Sequence, residues 1–478
     1  YDNVIIAALK NKSKLSNFFN GKIENPKIIS DKNNQTMAFW DFSKNIPSRI
    51  VLDQSNFKLN LKLINFPMRG STGSNWNGKE MCWRHAPEQY GAIHFHEDDI
   101  YDFEWETSLD FTIPDNMPSG IYIMRFTCNN FEDALPFFVC PKKNKNISDL
   151  CIVIPTFTYA VYGNHARPDY NKNWEKNFKS KYAYNYNPAN YKDYGLSTYN
   201  FHKDGSGICH ASFLRPLLNL RPGYITFGDT KCSGLRHFQA DTHLISWLEN
   251  KNITYDIITD YELHNEGNTF IQNYKAIMTT SHPEYHTPES LNAFQNYVDN
   301  GGNLLYLGGN GFYWKIAIHS ENKNIIEIRR AEDGIRAWAS EPGEYYNAFD
   351  GEYGGLWRRN GRPPQLLTGI GFSAQGKFNG SYYKRKDFSK KNQWIFKNIH
   401  EKKLGDFGFS GCGAAGFELD RVDFILGTPK NCSILAVSEG HGDDFVLVPE
   451  EHLTHLTNLP DKPLSELLRA EMVVLELT

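Results

Sequence analysis

No stretch of this chain holds the ~20 consecutive apolar residues that a bilayer-spanning helix needs, so an integral membrane role is not expected. Charge of either sign is also scarce in excess. With 51 basic and 55 acidic residues the net charge is -4, and no run of like charge reads as a tail. Nothing electrostatic therefore points to nucleic acid or an anionic membrane as partner. The eight cysteines are scattered and none forms a C-x-x-C pair, which argues against a disulfide framework and a structural zinc site. Reduced thiols in a cytoplasmic protein are the simpler reading. G-x-S-x-G is absent, and neither Cys151 nor Cys209 sits in a nucleophile-elbow pattern, so serine or thiol acylation is disfavoured. The chain starts at Tyr1 with no signal-like segment after it. The expectation is a chain that begins inside a longer protein, with its first region a truncated domain.

What is present is length for two or three domains, and a change of pattern along it. Residues 1–66 alternate apolar and polar in short runs broken by Gly, Asn and Pro, and 67–146 continue in strand periods, predicting a β-sandwich. The polar run 141–146 reads as a junction. Beyond it, Leu150-Cys151-Ile152-Val153-Ile154 is continuously apolar, as a strand covered on both faces should be. Strands at 255–258, 275–280 and 303–307 alternate with helices at 241–249 and 288–300, which predicts βαβ units in a doubly wound sheet. The stretches 162–236 and 326–390 lack periodicity but are aromatic-rich, and read as an ordered lid or pocket wall.

Candidate chemistry gathers at three strand ends, where open parallel sheets bind ligands. The loop after 150–154 holds Tyr159, Tyr162, Asn164 and His165. That after 275–280 holds His282, Glu284 and Tyr285, and that after 303–307 holds Asn310 between glycines. Each alone is an ordinary polar loop; together they would open on one crevice. Tyr and Glu oxygens are hard donors, and two phenolates with one carboxylate would neutralise Fe(III). A free tyrosine titrates near pKa ~10, so only a strongly acidic metal would hold two as phenolates.

Two competitors stand beside this reading. His94-Phe95-His96 puts two imidazoles on one strand face, but without a partner cluster at matching spacing, so a structural role is favoured. Residues 411–416 match G-x-G-x-x-G literally, yet a strand rather than a helix is expected after them, which speaks against dinucleotide binding. Glu418, just beyond, is a plausible base or a solvated strand residue.

Several segments carry a family likeness: residues 65–73 and 87–96, Ser197-Thr198-Tyr199-Asn200, Ser281-His282-Pro283-Glu284-Tyr285 and Leu307-Gly308-Gly309-Asn310-Gly311. On these the chain resembles the large (beta) subunit of N,N-dimethylformamidase. The resemblance implies a partial lectin-like jelly roll (1–66), an Ig-like β-sandwich (67–146) and a glutamine-amidotransferase-like α/β domain without the cysteine (147–478). It also implies one iron per chain, held by Tyr162, Tyr199 and Glu284. His282 and Asn310 match supporting or substrate-binding positions, and Glu418 a catalytic carboxylate. A small partner subunit in a hetero-oligomer is implied as well. The function expected is hydrolysis of a small N-substituted amide to carboxylate and amine. The alternatives are a larger amide at the same site, or a non-catalytic carbohydrate-binding protein.

Overall fold

The computed structural model describes residues 4–12, 14–142, 145, 148–180, 184, 186–227, 232–331, 337–376, 380–408, 413–442, 445–448 and 468–476. Among the described residues small sheets dominate and helices are few, a multidomain β-rich architecture around a four-stranded parallel sheet.

That sheet has four strands in the spatial order Asp256–Thr259, Leu150–Ile154, Ala276–Thr279, Asn303–Leu305, all parallel. Strand alternation sends Cys151 and Val153 to one face, where Ile258, Ile277, Leu291 and Phe294 pack against them. Ile152 and Ile154 face the other way, onto Phe238 and Leu248. The helices Pro288–Asp299 and Phe238–Asn250 thus cover opposite faces. Burying each such aliphatic or aromatic side chain contributes about 1.5–3 kcal/mol, which is why the central run is apolar at every position. The helix Pro288–Asp299 begins where the sequence announces it. Thr287 Oγ1 accepts from Ser290 N, Ser290 Oγ returns the bond to Thr287 N, and Pro288 needs no donor there.

Upstream, the antiparallel sheet Gly21–Glu24, Ala92–Phe95, Met68–Ser71 carries hydrogen bonds across residue 66. Arg69 is buried behind it and donates to the carbonyls of Phe42, Lys44, Asn45 and Ser48, which ties the irregular run 42–48 to this sheet. The long strands Gly120–Cys128 and Phe131–Val139 form a hairpin. Ser119 Oγ accepts from Ile257 N at 2.8 Å, so the hairpin sits beside the edge strand of the parallel sheet. Downstream, the described residues of 371–474 include two antiparallel sheets and no further parallel strand pair. Glu418–Arg421 lies in one of them, directly after the glycine turn, as the alternation there suggests. Gly411 and Cys412 of that turn lie outside the described residues. The seven described cysteines are free thiols. Among the described residues no helix is long and apolar enough to cross a membrane.

Candidate active site at the rim of the parallel sheet

The strand Leu150–Ile154 lies between Asp256–Thr259 and Ala276–Thr279, so the chain leaves it in one direction and returns on its other side. Loops from the carboxyl ends of Leu150–Ile154 and Ala276–Thr279 part at this switch point, where open parallel sheets bind ligands. The first loop turns through the short helix Thr156–Val161 and ends at Tyr162. The second runs through His282 to Glu284, whose backbone N donates to Thr158 Oγ1 at 3.2 Å, locking the two loops together. Gly308 is required nearby because a Cβ there would lie 2.7 Å from the Ser281 carbonyl oxygen. Tyr199 arrives from far along the chain. Ser197 Oγ and Thr198 Oγ1 both donate to the Val161 carbonyl, at 2.9 and 3.1 Å, and so pin its segment to the end of the same helix.

Three segments therefore bring their oxygens together. The Tyr199 hydroxyl is 2.7 Å from the Tyr162 hydroxyl and 3.3 Å from Glu284 Oε1, and it also bonds the Tyr285 hydroxyl. The rings of Tyr162 and Tyr199 stack at 4.2 Å. Glu284 is almost wholly buried, and its Oε2 has no well-aligned donor although His282 Nε2 lies 2.9 Å away. Burial, reinforced by the Glu284 charge, pushes Tyr199 up to about 12 and Tyr162 well above the usual phenol range. Burial does the same to Tyr285. Burial also works to raise Glu284, but His282 and Arg236 outweigh it and hold the carboxyl below its usual range.

Around this nucleus sits a polar ring. His282 Nδ1 is 2.8 Å from the Gly309 carbonyl oxygen and 3.6 Å from Glu418 Oε2. Asn310 Nδ2 reaches Glu418 Oε1 at 3.2 Å and Glu284 Oε1 at 3.4 Å, joining the two carboxylates. Asn310 holds this pose in the left-handed region (φ 53°), which Asn tolerates better than most residues, with its N–H donated to Asp420 Oδ1. Glu418 is not a solvated strand residue: its side chain is only 10% exposed and faces His282 and Arg236.

Sequence reading missed two cations. Arg236 Nη2 lies 3.2 Å from His282 Nε2 and 3.5 Å from Glu418 Oε2, with its guanidinium over the Tyr162 ring. Arg330 donates to the Tyr285 hydroxyl at 3.1 Å and covers the Tyr199 ring. Both come from the two aperiodic, aromatic-rich stretches, and that composition was the only available signal. The remaining candidates lie apart. Tyr159 bonds Asp241, and Asn164 donates to the Tyr194 and Pro216 carbonyls as a structural brace. His165 approaches the Tyr199 ring at 5.6 Å, and burial and Arg167 hold its pKa down to about 3.

The donor set fits a hard, highly charged cation. It offers only oxygens, one buried carboxylate oxygen is without an aligned donor, and phenols held protonated by burial would need such a charge to ionise. His94 and His96 belong to a separate pair of His/Asp groups able to hold a metal, so the partner cluster that seemed lacking in the sequence is supplied by residues far along the chain.

Fold and site together define a β-rich protein with an α/β core whose switch point carries a buried tyrosine–glutamate oxygen cluster beside a second carboxylate. The chain belongs to the family described as N,N-dimethylformamidase beta subunit-like, C-terminal, whose model matches residues 68–474. It is 35% identical to the N,N-dimethylformamidase beta subunits of an Alcaligenes species and of Paracoccus aminophilus, over 91% of this chain and 60% of each relative. The chain thus spans about 60% of the length of the curated relatives it matches.

Proposed function

We propose that this chain is the catalytic part of an iron-dependent amidohydrolase that converts a small N-substituted amide, of the N,N-dimethylformamide kind, to carboxylate and amine. The name carried by its relatives supports the reaction class. The meeting of Tyr162, Tyr199 and Glu284 is the observation that carries the metal. Fe(III), one per chain and held by these three residues, would supply Lewis acidity toward the amide carbonyl and a water. Glu418 then serves as the base that accepts the water proton and returns it to the departing amine. Asn310 Nδ2 would turn the longer of its two bonds, the one to Glu284 Oε1, over to the oxyanion as it develops. His282, with the Gly309 carbonyl oxygen 2.8 Å from Nδ1 and Glu284 Oε2 2.9 Å from Nε2, flanks Glu284 and supports Glu418. Arg236 keeps Glu418 and Glu284 compensated in a poorly solvated crevice.

The same reading includes a truncated jelly roll at 1–66, a sandwich at 67–146 and an amidotransferase-like unit at 147–478, in a cytoplasmic hetero-oligomer with a smaller partner subunit. The decisive experiment is Glu418→Gln in the assembled enzyme. Iron content and the phenolate–Fe(III) colour should persist while turnover falls by roughly 10²–10⁴-fold. Full activity in this variant defeats the assignment.

A further inference from the structure

A second cluster of titratable groups lies away from the tyrosine–glutamate site. His94 and His96 share one face of the strand Ala92–Phe95 and its continuation. Their Nε2 atoms converge on a single carboxylate oxygen, Asp204 Oδ2, at 2.8 and 3.4 Å. Behind them, His202 stacks on His96 with ring centroids 3.6 Å apart, and its Nδ1 is 2.6 Å from Asp98 Oδ1. Asp99 Oδ2 accepts the His96 backbone N–H and lies 3.3 Å from His96 Nδ1.

This arrangement is rich in acceptors and poor in protons. Three imidazoles and the Ser206 hydroxyl, which lies 3.0 Å from His96 Nε2 and 2.6 Å from Asp204 Oδ1, face three carboxylates. Protonating all three imidazoles would place like charges on rings about 4 Å apart. One further observation marks the cluster. His96 Nδ1 is buried with no aligned hydrogen-bond partner, on a side chain only 2% exposed.

We propose that His94, His96 and Asp204 bind one borderline divalent cation of the zinc type, which fastens the strand Ala92–Phe95 to the tight loop 201–207. Tetrahedral zinc with bonds near ~2.0–2.1 Å wants donors roughly 3.3 Å apart. The His96–Asp204 separation already matches, and the His94–Asp204 hydrogen bond need only open by about half an ångström. Ligation through Nε2 fixes the His96 proton on Nδ1, facing Asp99, which gives a carboxylate–histidine–metal relay. Water completes the fourth position. The loop begins two residues after Tyr199, so the ion would steady the segment that delivers that phenol without touching substrate.

The test uses the full-length protein and zinc alone, followed by competition with a chromophoric chelator. Wild type should bind one zinc per chain in addition to iron, and Glu284→Gln, directed at the other site, should keep it. His94→Gln and Asp204→Asn should lose it, and Asp99→Asn should weaken it roughly 10–100-fold. Cobalt(II) added to wild type should give visible bands of nitrogen–oxygen coordination, which needs no folded variant. Folded wild type that binds no zinc, shows no such bands, or binds as well in the His94→Gln and Asp204→Asn proteins overturns the proposal.

Discussion

Tyr199→Phe is the cleanest probe of the buried oxygen cluster, because it deletes one atom and keeps the ring. That ring stays stacked on Tyr162 at 4.2 Å and under Arg330 at 4.5 Å, so packing is retained. The hydroxyl is the hub of the cluster, shared by Tyr162, Tyr285 and Glu284. Without it, the hydroxyls of Tyr162 and Tyr285 each lose a buried partner, at about 1–3 kcal/mol apiece. Metal-free protein should therefore be about 2–6 kcal/mol less stable than metal-free wild type. On the proposed iron site, loaded wild type would gain a further RT ln(1 + [L]/Kd), and the variant should forfeit most of that. The assay pairs denaturant unfolding, with and without a strong iron chelator, with iron analysis of the purified proteins. A hydrogen-bond network alone predicts the same destabilisation with and without chelator. If Tyr199→Phe retains a full equivalent of iron and wild-type colour, the ligand assignment fails.

Other outcomes follow from the same geometry. Asp420 is lifted by burial to about 6 from 3.8, against the bonds it accepts from Asn310 and Tyr306. A raised carboxyl favours the folded state most below pH ~4, and about 3 kcal/mol of that advantage is lost as pH rises through 6. Asp420→Asn should flatten the stability profile between pH 4 and 7 by about that amount; an unchanged slope refutes it. Gly308→Ala would drive a methyl against the Ser281 carbonyl and Pro283 Cδ. It should cost about 1–3 kcal/mol and release iron by displacing the Glu284 loop, and an iron-replete, fully stable variant would contradict the packing described. A panel of formamides, acetamides and ureas tests substrate size: turnover confined to larger amides would replace the small-formamide reading.

The parallel sheet was legible because its physics is local. A run that is apolar at every position, as at 150–154, fits only a strand covered on both faces, and Thr287-Pro288 states its own helix start. The small antiparallel elements were less so. Within the alternating run of 1–66, Gly21–Glu24 and Lys27–Ile29 follow one another closely yet pair in different sheets. Within the site, Glu284, His282 and Asn310 could be found from their strand-end positions. Arg236 and Arg330 could not, since nothing periodic surrounds them and their importance lies in distant contacts. The same holds for His94: its partner Asp204 is 110 residues away, so local spacing could not reveal the pair.

The two hydroxyls of Ser197 and Thr198, both seated on the Val161 carbonyl, yoke the phenol-bearing segments into a single mechanical part. Whatever excursion the chain makes between about residues 167 and 191 is thereby uncoupled from the aim of either ring. Evolution can lengthen, trim or re-decorate that excursion to suit a new substrate while the donors it connects hold still.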